Sequence, residues 1–108
     1  MMLTIFTPTY NRAKLLNDIF NSLEKQSCFD FEWLIIDDGS SDNTESVVMN
    51  FFHSSSFPIR YIKKKNGGKH TAYNLALENA RGKLFFCLDS DDYLPSNAVE
   101  KIKNVLII

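Results

Sequence analysis

The run Phe31-Glu32-Trp33-Leu34-Ile35-Ile36, stopped by Asp37-Asp38-Gly39-Ser40 and followed by Ser41-Asp42-Asn43-Thr44-Glu45, decides the fold. A short apolar run bounded by turn residues reads as a strand. Asp42 with Glu45 three residues later then reads as a helix N-cap and capping box. Val47, Val48, Phe51 and Phe52 are expected to supply the buried face of that helix. Strand, polar turn and helix follow one another without a gap.

The same order repeats outward in both directions. Residues 3–7 form an apolar strand ended by Pro8, expected to be central and parallel. Leu15, Leu16, Ile19, Phe20 and Leu23 recur at helical spacing behind it. Downstream, Ser54-Ser55-Ser56 is a loop before a strand at about 59–62. Asn66-Gly67-Gly68 turns the chain into a helix over about 69–80, with Ala72, Ala76 and Leu77 inward and Arg81-Gly82 as its stop. Residues 83–88 are a fourth strand, and Pro95-Ser96 open a last helix with Val99, Ile102, Val105 and Leu106 at helical spacing. Four alternations predict an α/β fold: a mostly parallel four-stranded sheet with helices on both faces.

Composition bounds what such a domain does. At 108 residues the chain holds one domain, and 44% hydrophobic residues with nine Phe give it a core. A net charge of −1 argues against nucleic acid as a partner. The cluster Lys63-Lys64-Lys65 reads as a solvated strand end. Cys28 and Cys87 form no CxxC pattern, so structural zinc is not suggested, and Cys87 reads as an inert buried thiol. No basic leader or apolar run of about 18 residues occurs. A cytoplasmic protein is expected, with a peripheral place at the inner face of a membrane left open.

In parallel sheets, ligands bind outside the carboxyl ends of the strands. Three strands here end in polar clusters: Thr7-Pro8-Thr9-Tyr10-Asn11, Asp37-Asp38-Gly39-Ser40 and Asp89-Ser90-Asp91-Asp92. These should meet along one edge. Three carboxylates within four residues repel, which calls for a cation or a raised pKa, and Mn²⁺ or Mg²⁺ accepts such oxygen ligands. The plain alternative is a solvated turn whose Asp caps the last helix. One Asp of Asp37-Asp38 suffices for a turn; the other can accept a hydrogen bond from a nucleobase N–H or a ribose hydroxyl. Lys69 and His70 open a helix beside a Gly-Gly turn, a setting that suits phosphate, although His70 reads as an exposed helix residue. The spacing of a Walker loop is absent.

Together these blocks resemble the N-terminal half of family 2 glycosyltransferases of the Rossmann-like GT-A fold. The resemblance runs through Pro8-Thr9-Tyr10-Asn11-Arg12, the block from Ile35 to Asp42, the segment from Asn66 to Asn74, and Asp89-Ser90-Asp91-Asp92, a DXD motif. It implies inverting transfer of a sugar from a nucleoside diphosphate donor, often UDP-linked, to a saccharide or lipid-linked acceptor. It further implies that Asp38 holds the base, that Thr9 or Tyr10 lines the base pocket beside Pro8, and that Asp89 lies near ribose and donor sugar. Asp91 and Asp92 would face Mn²⁺ or Mg²⁺ on the diphosphate, with Lys69 close to the donor. In the family the acceptor site and catalytic base follow in a further segment. Residues 1–108 are therefore expected to be a donor-binding half that ends inside a helix, holds no base, and can self-associate through the surface its other half would cover.

Three other readings compete. A sugar nucleotidyltransferase shares fold and metal but carries a Gly-rich loop where Pro8-Thr9-Tyr10-Asn11 stands. A receiver domain places its Asp pair after the first strand, whereas Asp37-Asp38 follows the second. A donor-binding module without catalytic activity fits the same residues.

Overall fold

The computed structural model describes residues 2–92 and 94–107, with side chains through residue 104. Its elements are β1 (Leu3–Thr9), α1 (Ala13–Glu24), β2 (Phe31–Asp37), α2 (Thr44–Ser54), β3 (Ile59–Lys63), α3 (Lys69–Asn79), β4 (Leu84–Cys87) and α4 (Ala98–Ile107). The expected positions Val105 and Leu106 lie outside the described side chains. All strand pairs are parallel, in the order β3-β2-β1-β4. The chain thus runs outward from β1 to β3 and returns to the other side of β1. Such a reversal of strand order opens a crevice at the carboxyl edge. No described helix is long and apolar enough to cross a membrane.

Alternation along each strand sorts the core into two layers. Leu3, Ile5, Phe31, Trp33 and Ile35 face α1, α2 and α4, meeting Leu16, Ile19, Leu23, Val48, Phe51 and Val99. Phe6, Leu34 and Ile36 face α3 through Ala72 and Ala76. Small residues on α3 let that helix lie close to the sheet. On the thicker side aromatic rings fill the space; Phe20 stacks on Phe51 with centroids 4.4 Å apart. Burying such a ring fully is worth roughly 1.5–3 kcal/mol, so this layer dominates stability.

Two inward assignments were wrong. Phe52 is 43% exposed and Leu77 is 50% exposed. The buried stripe of α2 runs through Thr44, Val48 and Phe51, and that of α3 through Ala72 and Ala76 with Leu75 beside it. Both misplaced residues sit one position beyond the stripe.

Pro8 does not end β1; it stays in the strand opposite Ile36. The Phe6 carbonyl accepts from Leu88 N, so by alternation Pro8 faces β4 as well, just past that strand's end. Its missing N–H leaves the Leu88 carbonyl to another donor, and the Thr7 hydroxyl supplies it at 2.7 Å. Trp33 Nε1 donates in turn to that hydroxyl at 2.9 Å.

Below the opposite edge lies a buried carboxylate, Glu32, fully shielded from solvent. It accepts from Thr4 Oγ1 at 2.6 Å, Arg81 N at 2.8 Å and Arg60 at 3.0 Å. Burial opposes its ionisation, but these donors outweigh burial and hold its pKa below the usual value. Arg60 also donates to the Asn79 carbonyl, which closes the C-terminus of α3.

Gly82 serves this junction rather than the helix cap expected of it. It takes no positive φ. A Cβ there would stand 2.4 Å from Thr4 N and 2.6 Å from the Leu3 carbonyl carbon. Gly82→Ala should therefore lower unfolding stability by at least about 2 kcal/mol, since backbone cannot yield as a side chain does. Urea unfolding measures this, and an unchanged midpoint would contradict the close approach.

Candidate functional site

The turn after β1 and the loop after β2 are locked together before either reaches the site. Asn11 adopts φ 52°, a left-handed conformation that Asn tolerates. Its Oδ1 accepts from Ser41 N at 2.7 Å and Asp42 N at 3.2 Å, while its own N–H donates to Ser40 Oγ at 2.8 Å. Asp42 is not the N-cap, a position held by Asn43. Its carboxylate instead accepts from Thr44 N at 3.0 Å and Ala13 N at 3.4 Å, serving the first residues of α2 and α1 together. No return bond from Glu45 occurs among the described residues.

Asp37 and Asp38 divide the work of the turn. Asp37 is fully buried, accepting from Ser40 N at 2.8 Å and from the Tyr61 hydroxyl. Asp38 points the other way, toward the cavity. Its Oδ1 accepts from Lys64 Nζ at 2.6 Å and Gly67 N at 2.9 Å, and its Oδ2 from Gly68 N at 3.0 Å. Burial works against ionisation of Asp38, and the Lys64 ammonium with the two amides overcomes it, so its pKa lies below the usual value. Gly39, at φ 83°, permits the turn and the close passage of Asn66.

The reading of Lys63-Lys64-Lys65 as a solvated strand end holds for the outer two only. Lys64 is the partner of Asp38, and no local signal distinguished it from its neighbours. Arg12, which no local sequence signal marks, lines the cavity and donates to Ser90 Oγ at 3.4 Å.

A cavity of about 330 Å³ opens where the three strand ends meet. Pro8, Thr9, Tyr10, Arg12, Asp38, Lys69, Ala72, Asp89, Ser90 and Asp91 line it. Seven of the eight residues singled out from the sequence as donor or metal contacts are thus brought together; Asp92 is the one outside the lining. Its Oδ2 accepts from Asp89 N at 3.0 Å and folds back on its own loop. Thr9 is 3% exposed, and its hydroxyl has no hydrogen-bond partner among the described residues. Tyr10 is 48% exposed at the rim, and His70 is exposed as expected.

Carboxylate oxygens of Asp89, Asp91 and Asp92 lie within 4.8 Å of one another. A set of hard, partly solvated oxygens fits Mn²⁺ or Mg²⁺. Lys69, the first residue of α3, ion-pairs with Asp89, which raises the lysine's pKa. Burial, then the charge of Asp89, pushes up the Cys87 thiol, consistent with an unreactive thiol.

The family model for Glycosyl transferase family 2 matches residues 4–107. Chondroitin synthase of Pasteurella multocida is 38% identical over 99 residues, 92% of this chain and 10% of that protein. The structure of Staphylococcus aureus TarS 1-349 in complex with UDP-GlcNAc superposes with a TM-score of 0.80 at 30% identity, covering 99% of this chain and 30% of that one. A mannosyltransferase from Pyrobaculum calidifontis in complex with GDP-Man and Mn²⁺ gives 0.82 at 28% identity, over 91% of this chain and 31% of that one.

The Asp38–Lys64 pair makes a prediction of its own. Ionised Asp38 is the form the fold favours. Its contribution is complete above the unfolded value near 3.8 and fades as pH falls through the lower folded value. Lys64→Met should cost about 1–2 kcal/mol at neutral pH, and the gap from wild type should narrow at about pH 3. Urea unfolding at both pH values checks it; an equal gap at both would remove the ion pair from the account.

Proposed function

Because the chain belongs to glycosyl transferase family 2, we propose that its cavity holds the nucleoside diphosphate of a UDP-sugar, with Mn²⁺ or Mg²⁺. In this reading the protein transfers that sugar, with inversion, to a saccharide or lipid-linked acceptor. One observation carries it: the orphan hydroxyl of Thr9, buried in a cavity wall shared with Asp38, Lys69, Asp89 and Asp91. A buried polar group without a partner costs about 1–3 kcal/mol, which a ligand's polar atom recovers.

Each residue has a distinct task. Tyr10 offers an exposed ring for a base to stack on. Asp38 reads the base. A carboxylate has about four acceptor positions, and Lys64, Gly67 and Gly68 occupy three of them. The one left on Oδ2 suits uracil, whose ring presents a single N–H. Guanine presents an N–H and an amino group side by side, which call for both oxygens. Asp89 takes ribose or donor-sugar hydroxyls, and Lys69 and Arg12 bring positive charge to the diphosphate. Asp91, exposed and without a hydrogen bond among the described residues, is the chief metal ligand, with Asp92 beside it. A bound divalent ion supplies Lewis-acid neutralisation of the leaving diphosphate. These carboxylates are committed to base, sugar and metal, so the base for the acceptor hydroxyl is assigned to a residue outside this set.

Calorimetry tests the reading. UDP should bind in the presence of Mn²⁺, and more weakly by about tenfold or more, roughly 1.4 kcal/mol, without metal or in Asp91→Ala. GDP should bind more weakly than UDP. The unfolding midpoint of Asp91→Ala should match wild type, since the side chain is exposed. Equal UDP affinity in all three conditions would refute the metal role, and tighter GDP binding would refute the reading of Asp38.

A further inference from the structure

Lys69 stands at a conflict between two of the tasks just assigned. It opens α3 behind Gly68, which takes φ 97° as the helix cap, and its side chain crosses the cavity to Asp89 at the end of β4. The carboxylate it contacts is one of the three in the cluster that fits a divalent ion. An ammonium and a dication repel when they share so small a space. The pair is a surface one, with side chains 63% and 30% exposed, so separating it costs little.

Resting on the nucleotide reading above, we propose that Lys69 is a displaceable counter-ion for Asp89. In the free chain it neutralises Asp89, one of the three carboxylates, and opposes binding of a divalent ion alone. When a diphosphate enters, its oxygens offer Lys69 a stronger anion beside the first-turn amides of α3. Lys69 then leaves Asp89, and the cluster becomes free to share the ion with the nucleotide. Metal and nucleotide binding are coupled through this exchange: each is weak alone and both are tight together. The arrangement keeps the site from filling with metal in the absence of donor.

The experiment compares wild type, Lys69→Met and Lys69→Arg, all in the 108-residue chain. Mn²⁺ binding is followed by the loss of its free-ion electron paramagnetic resonance signal, and UDP binding by calorimetry at saturating Mn²⁺. Lys69→Met should bind Mn²⁺ alone about tenfold more tightly, and UDP with Mn²⁺ more weakly. Lys69→Arg should keep the wild-type Mn²⁺ affinity. A residue that merely supports the fold would not strengthen metal binding when lost. Unchanged or weakened Mn²⁺ binding by Lys69→Met overturns the proposal. Failure of wild type to bind UDP overturns the nucleotide reading instead, and the Mn²⁺ comparison then judges the counter-ion by itself.

Discussion

A carboxylate buried at the end of a strand must be neutralised where it stands, and the way Asp38 meets that demand shapes the whole edge. Its charge draws Lys64 back from the exit of β3 and gathers the amides of Gly67 and Gly68 around it. Removing one partner of such a group leaves an expensive unpaired charge, which makes the turn hard to rearrange. The turn fixes where α3 begins. Because α3 begins there, Lys69 reaches Asp89 and Ala72 forms part of the cavity wall. The site is therefore a consequence of one satisfied carboxylate at least as much as of the residues that would touch a ligand.

β2 also carries a buried carboxylate near its other end, Glu32, and its contrast with Asp38 separates structure from function. Glu32 is enclosed and receives donors from β1, β3 and the segment after α3, with none of its surface in the cavity. It fastens the amino-proximal side of the sheet beneath the C-terminus of α3. Asp38 keeps an acceptor position and a face toward the cavity. Two carboxylates six residues apart on one strand and its exit thus hold opposite ends of the same helix, one closed for stability and one left open.

Much of this was legible in the sequence because the signals are local. Helical spacing in α1 and the apolar runs of β1 and β2 announce themselves within a few residues. Polar clusters at the carboxyl ends of three strands foretold the cavity, since parallel strands bring those ends together. What stayed hidden depends on partners distant in the chain. Lys64 is 26 residues from Asp38 and looks like either neighbouring lysine. Gly82 owes its identity to Thr4, on the neighbouring strand, rather than to the helix it follows. Pro8 reads as a strand terminator until β4 is seen to end beside it. Phe52 and Leu77 show that apolar character does not say where a stripe stops, and the turning back of Asp92 could not be read from Asp-Ser-Asp-Asp.

The central claim is that the three strand ends form one nucleotide site. Mapping amide chemical shifts during titration with UDP and Mg²⁺, which is diamagnetic, tests it most directly. The account predicts that perturbations concentrate at residues 8–12, 38–40, 66–70 and 88–92, on four separate connections, and saturate together. Shifts confined to one of these segments, or centred away from all of them, would contradict it.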